Sequence, residues 1–319
     1  MSRKPARKKE APQPAAVAGP AFDRRLLEKV IAHATRLLQE QDFSSPEEAN
    51  AYLREMLAAG GPPPAPPRTP LEEAQDLMYE AWEAEDERRV ELARKALQIS
   101  PDCADAYVLL ADETAETIEE AIELYEQGVK AGERALGPEM FEEAVGEFWG
   151  ILQTRPYMRA RAGLAELLWL FGERRKAIAH LQDMLRLNPN DNQGLRHLLM
   201  VWLPLVGDDQ ALGELLHRYE DEPSAEWLYT NALWHFRQEE DSTKSRRALK
   251  KALDRRPLVP PYLLGRKPMP EELPPYIEMG GESEAVSYAL TGGAAWRATD
   301  GALTWLARQV GPAKKRGRR

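Results

Sequence analysis

The strongest constraint on this chain is a rhythm of prolines: Pro189, Pro223 and Pro257 recur at one constant interval. A proline has no N–H to donate and its ring clashes with the turn behind it, so each can follow a helix but not extend it. The interval, roughly 34 residues, leaves room for two antiparallel helices and their turns, and prolines in register over successive intervals mark a unit that repeats. Counting Pro189 as position 32, Leu164 and Ala165 fall where two helices touch, Gly172 at the turn between them, and Ala177 and Leu181 where the second helix packs back. A helix pair of this size cannot bury its apolar face alone. The pairs must stack, and a chain of 319 residues can then grow by layers rather than by enlarging one core.

The unit resembles the tetratricopeptide (TPR) repeat, which implies an all-α fold: an α/α superhelix, or TPR-like solenoid, over residues 71–256. The flanking segments read differently. Residues 1–20, rich in Pro, Ala and cations with little to bury, are predicted to be a disordered basic tail. Residues 21–60 form a helical hairpin, with Leu26, Leu27, Val30, Ile31, Ala34, Leu37 and Leu38 at helical spacing and a second helix opened by Ser45-Pro46-Glu47-Glu48, a capping-box start with proline at the first position. Residues 61–70 are a proline-rich linker of extended polyproline character. The hairpin is either tethered by this linker or docked on the solenoid, and the sequence does not choose. Within the solenoid the phase slips. The stretch from Pro101 to Pro156 exceeds the regular interval by more than half, which predicts an additional helix over about 139–153 after one over 118–136. Residues 257–309 read as a proline-rich segment running extended across the solenoid end, followed by capping helices over about 283–290 and 292–309. Residues 310–319 are a second basic tail.

The net charge of −9 hides an asymmetry, since five cations lie within residues 1–9 and five within the last seven. An acidic body with two basic ends offers an alternative reading to protein binding: a nucleic-acid- or ribosome-associated factor whose affinity would fall with salt. The single cysteine, Cys103, excludes an internal disulfide and a multi-cysteine zinc site. No apolar leader core and no spanning-length apolar run are visible, so the expected address is cytoplasmic, without membrane insertion.

No constellation for catalysis stands out. There is no HExxH, no Cys-His cluster, no phosphate-cradling glycine loop, and the expectation is a non-enzyme with no cofactor and no metal. His180, His197, His217 and His235 recur at similar intervals on successive helices, which either lines them up or scatters them with the repeat.

Binding is better supported, because stacked helix pairs with a small rotation leave a concave groove. Carrying the proline phase across places Arg159, Gln193, Arg196, His197, Trp227, Thr230, Asn231 and Trp234 on the groove wall. The resemblance to TPR arrays implies a peptide-binding role, with Trp227 and Trp234 as apolar anchors and Arg159, Arg196 and Asn231 as polar clamps. The same tryptophans suit a core equally well. Longer stretches, namely Asp102–Tyr107, Phe148-Trp149-Gly150, Thr154–Arg161, Leu187–Gly194, Val259–Arg266 and Gly301–Leu306, resemble the suppressor of tumorigenicity seven family over about 71–306. That resemblance implies a binding or scaffold protein with a protein or peptide partner. It also singles out Arg155, Tyr157 and Arg161 as a motif of shared role, unless Arg155 only caps its helix and pairs with nearby acids.

Overall fold

The computed structural model describes residues 24–39, 41, 43–60, 67, 69–273 and 276–311. The predicted tails and most of the linker 61–70 lie outside the described residues. Five helix pairs form the body: α3 (Pro70–Glu83) with α4 (Glu87–Ile99), α5 (Ala104–Thr114) with α6 (Ile118–Glu143), α7 (Arg155–Phe171) with α8 (Arg174–Leu187), α9 (Leu195–Leu205) with α10 (Asp209–Arg218), and α11 (Ala225–Glu239) with α12 (Thr243–Arg255). Ahead of them stand α1 (Arg24–Gln39) and α2 (Pro46–Ala58), and behind them α13 (Val259–Leu263), α14 (Glu282–Thr291), α15 (Gly293–Ala298) and α16 (Ala302–Val310). Among the described residues all regular structure is helical, and the architecture is an all-α, TPR-like solenoid.

Local chemistry sets the boundaries. Thr69 opens α3 with a reciprocal capping box: its side chain accepts from the Glu72 amide, the Glu72 carboxylate accepts from the Thr69 amide, and Pro70 follows. Pro189 and Pro257 follow the ends of α8 and α12 closely, as stops, whereas α10 ends at Arg218, ahead of Pro223. Gly172 ends α7 at φ +100°, a left-handed conformation that a residue with a Cβ resists.

The phase slip is resolved differently from the predicted helix over 139–153. The helix beginning at Ile118 kinks at Gly137 (φ 72°), restarts on Pro138 and stops at Glu143. Gly146 (φ +99°) then turns the chain away, and its amide donates to the Leu187 carbonyl at the end of α8 at 2.9 Å. Two short 3-10 turns, Phe148–Gly150 and Leu152–Thr154, lead into α7. Phe148, fully buried, packs its ring on Phe141 and Tyr157. The extra residues therefore wedge between α6 and α8 rather than adding a full helix.

Close approach of α6 to α7 rests on glycine. A Cβ at Gly132 would lie 2.7 Å from the Tyr157 Cβ and 3.1 Å from its Cα, and backbone cannot move aside cheaply. Gly132→Ala is expected to cost about 1–3 kcal/mol through overpacking and to lower the thermal midpoint; an unchanged midpoint in a melting experiment would show that the seam is loose.

At the C-terminal end the predicted segment 257–281 is not simply extended. It begins with α13, and Met269, Leu273, Tyr276, Ile277 and Met279 remain exposed beyond it. The predicted helix over 292–309 is two helices, α15 and α16, separated at Thr299–Gly301, where Gly301 takes φ +73°. Trp296 and Trp305 are fully buried there.

Candidate functional site

At the N-terminal end the first helices of the pairs are already covered. Helix α1 lies across α3 and α7, which the sequence left undecided between tether and dock. Its Glu28 carboxylate, 2% exposed, accepts from Arg159 at 2.8 and 3.0 Å and from Arg155 at 3.2 Å. Arg159 is shared: its guanidinium also donates to both oxygens of Asp105 on α5, at 2.8 and 2.6 Å, and Asp105 is wholly buried. Gln75 of α3 donates to the same Asp105 carboxylate. Two guanidiniums and two carboxylates thus share one enclosed site.

Two turns further along α1, Arg36 is 3% exposed and donates to both oxygens of Asp76 at 2.6 and 2.9 Å, with Glu72 at 3.6 Å. Lys29 reaches Glu83, and the Arg25 guanidinium sits over the Trp82 ring at 4.5 Å. Beneath α1 is a cavity of about 120 Å³, walled by Thr35, Arg36, Gln75, Tyr79, Tyr157 and Arg159. Burial opposes the charge on Arg159, but Asp105 and Glu28 outweigh it and hold its pKa above the ordinary arginine value. Burial and the neighbouring Asp105 push the Cys103 thiol up to about 12, so this cysteine stays protonated and unreactive at neutral pH.

At the other end the C-terminal helices α14 and α15 pack on the first helices α11 and α9. Thr230 of α11 is buried and shares a hydrogen bond with the Tyr288 hydroxyl of α14, which in turn receives the Trp296 indole N–H of α15.

The residues placed on the groove wall from sequence therefore fall into distinct environments. Arg159 grips α1. Trp227, expected as an apolar anchor, lies in the core at 6% exposure: its Nε1 donates to the Leu216 carbonyl and Lys251 sits over its ring. Trp234 is partly buried, donates from Nε1 to the Asp209 carbonyl, and packs on Gly213 of α10. Arg196 is committed to structure, bridging Asp191 and Glu222 at 2.9 and 2.6 Å. Gln193 donates to the Met158 carbonyl, while its Oε1 and the Nδ1 of His197 are buried atoms with no hydrogen-bond partner. Asn231 is partly exposed on α11. In the Thr154–Arg161 motif, Arg155 faces α1 and also donates to the Trp149 carbonyl; Tyr157 is core; Arg161 donates to Tyr157, His180 and Asp183. The histidines do not converge, and among the described residues no group of three His, Cys, Asp or Glu is arranged to hold a metal ion.

Glu28, Asp105 and Arg36 were missed by the sequence reading. The signal was present in part, because Glu28, Ala32 and Arg36 recur every four residues on one face of α1, opposite the apolar positions. A polar stripe of that kind ordinarily faces water, and here it faces protein.

A second carboxylate cluster lies where α11 meets α14. Glu284, 1% exposed, accepts from the amides of Ala225 and Gly280 and pairs with Arg256 at 2.7 Å. Beside it, burial and the nearby Glu284 and Glu222 push Glu226 up to about 7, with Arg256 opposing. The folded protein holds this proton more tightly than the unfolded chain, so the group's contribution to stability is full below about pH 4.5 and is lost as the pH rises through 7. Glu226→Gln should raise the thermal midpoint at pH 8 and leave it nearly unchanged at pH 4.5; melts showing equal shifts at both would contradict this.

Among the described residues no helix is long and apolar enough to cross a membrane. The family model ST7 protein matches residues 68–146. The suppressor of tumorigenicity 7 protein-like of Bos taurus is 32% identical over 264 residues, covering 74% of this chain and 46% of that protein. The ST7 homolog of Caenorhabditis elegans is 33% identical over 276 residues, covering 72% of this chain and 49% of that protein. The chain spans about half the length of the curated relatives it matches. Among solved structures, YrrB, a TPR protein with an unusual peptide-binding site, is 21% identical with a TM-score of 0.41, over 58% of this chain and 84% of that one.

Proposed function

Because this chain is a TPR-like repeat protein resembling the ST7 family along about three quarters of its length, we propose that it is a non-catalytic scaffold that binds a partner protein through the concave side of its superhelix. The supporting observation is that this side grips a helix: α1 lies in it, fastened by Arg155 and Arg159 through Glu28 and by Asp76 through Arg36. A wall that satisfies the charges of one helical segment has the shape and polarity to satisfy another. Gln193, His197 and Asn231 continue this wall beyond α1. The basic segments on which a nucleic-acid reading rests lie outside the described residues. A cytoplasmic setting belongs to the proposal.

The test uses a photo-crosslinking amino acid placed singly in the full chain and irradiated in lysate of its own cells. Positions 193 and 231 are expected to give discrete protein adducts, whereas Lys95 of α4 and Lys176 of α8, exposed on the second helices, should give none. Adducts only from the second helices would overturn the concave-face assignment.

A further inference from the structure

An ordinary amphipathic helix hides its apolar residues and leaves its charges in water. Helix α1 turns charges toward the solenoid instead: Glu28 and Arg36 are 2% and 3% exposed, while Leu27 is 46% exposed and Val30, Ile31, Leu37 and Leu38 are partly buried. The seat beneath α1 is correspondingly bipolar. One pole is Arg155 and Arg159, the other Asp76 and Glu72. Glu28 and Arg36 are eight residues apart, which on a helix is about 12 Å, and that spacing sets each residue against the pole of opposite sign.

Two features distinguish this seat from the seams within the solenoid. A pocket of about 120 Å³, partly open to solvent, remains between α1 and the wall, so the seat is not packed as an interior seam is. Among the described residues of α1 the buried side chains are charged, Glu28 and Arg36, unlike the fully buried Leu181, Met184 and Leu187 of α8. The seat also cannot remain empty without loss. With α1 gone, Arg155 loses its carboxylate and Arg159 keeps only Asp105, so a carboxylate-bearing helix would restore the missing pair.

Resting on the scaffold reading above, we propose that the α1 seat is a docking site for a partner helix bearing a carboxylate and, two turns further on, a guanidinium, and that α1 is its occupant in cis. The partner helix and α1 carry the same chemistry and exclude one another. The stretch between α1 and α3, residues 40–69, keeps α1 tethered nearby after displacement, so the effective concentration of α1 sets the affinity a partner must exceed.

The probe is an end-blocked, fluorescently labelled peptide of residues 22–41, titrated with the full-length chain and read by anisotropy. The wild-type chain, its seat filled, is expected to bind the peptide at least tenfold more weakly than the Glu28→Gln chain, which keeps its shape but loses the charge that anchors its own α1. A peptide carrying Gln in place of Glu28 should bind the Glu28→Gln chain at least tenfold more weakly than the wild-type peptide does. Equal binding by the two chains, or by the two peptides, would overturn the proposal. Circular dichroism of the Glu28→Gln chain checks that the solenoid survives, and the same contrast in the wild-type chain can be read by competition of the two unlabelled peptides, so a folding defect does not spare the proposal. Wild-type chains that elute as dimers with α1 exchanged would put a second copy in the seat and overturn the assignment to a foreign helix. The peptide reads only the seat, whereas the crosslinks from positions 193 and 231 read partner binding, so the two can fail separately.

Discussion

Trp305→Ala is expected to lower stability by about 3–5 kcal/mol, the range for truncating a fully buried aromatic side chain. The indole lies between Phe236 of α11, stacked at 4.7 Å and 25°, and Trp296 of α15 at 6.3 Å and 12°. Its Nε1 donates to Asp241 at 2.8 Å in the turn between α11 and α12. One side chain therefore joins the last repeat to both closing helices. Trp305→Phe separates the contributions, because it keeps the ring between its neighbours and loses the hydrogen bond and part of the volume; it should cost roughly 1–2 kcal/mol. The consequence is local, since in a solenoid each layer is held by its neighbours and loosens without dragging the far end. Hydrogen exchange in Trp305→Ala should accelerate through α13–α16 and α11 while α7 and α8 keep their protection. Acceleration that is uniform along the chain would show one cooperative core instead of stacked layers.

That layered character is also what made the fold legible. Pro189 and Pro257 end their helices because no other residue in those turns forbids continuation so strongly, and Gly172 marks a turn for a similarly local reason; α10 stops at Arg218, before its proline. Helices whose ends are set by tertiary contacts were not legible. Phe148, Trp149 and Leu152 follow a helical spacing, yet Gly146 leaves the helix because its amide has a carbonyl to reach on the distant helix α8. The split between α15 and α16 does carry a local signal, Asp300-Gly301 with Gly301 at φ +73°, which the helical spacing of the apolar residues masks; the turn lets Trp296 and Trp305 both point inward.

The site was legible in its wall and not in what covers it. The repeat phase assigns each residue to a face of its own helix, and Arg159 lies on the face of α7 that meets α5 and α1. It cannot say that Glu28, 131 residues away, will arrive there, because α1 belongs to no repeat. Likewise Thr230 and Trp227 fall on the first helix of the last unit, but α14 seals one and α10 takes the other. A tryptophan at a groove position and a tryptophan in the core obey the same periodicity, and only the packing of neighbouring layers separates them.

The other large effect is expected at the shared ion cluster. In the native protein Arg155 and Arg159 face Glu28 and Asp105, two charges of each sign, with the carboxylates buried and the guanidinium side chains no more than 17% exposed. Arg159→Met leaves the two carboxylates with Arg155 alone, and breaking a buried pair in this way costs about 3–5 kcal/mol, mainly from the charge left behind rather than the contact removed. Adding Asp105→Leu restores one carboxylate to one guanidinium, Glu28 with Arg155, and replaces the removed pair by apolar groups of similar size, an exchange that is often near neutral. The double variant should therefore recover most of the stability lost in either single variant, giving a coupling well above the roughly 0.5 kcal/mol within which independent sites add. Urea unfolding of the wild type, both single variants and the double variant provides the cycle. Single losses below about 1 kcal/mol, the range of solvent-exposed ion pairs, or losses that simply add, would mean that water reaches the cluster and that α1 does not sit on it.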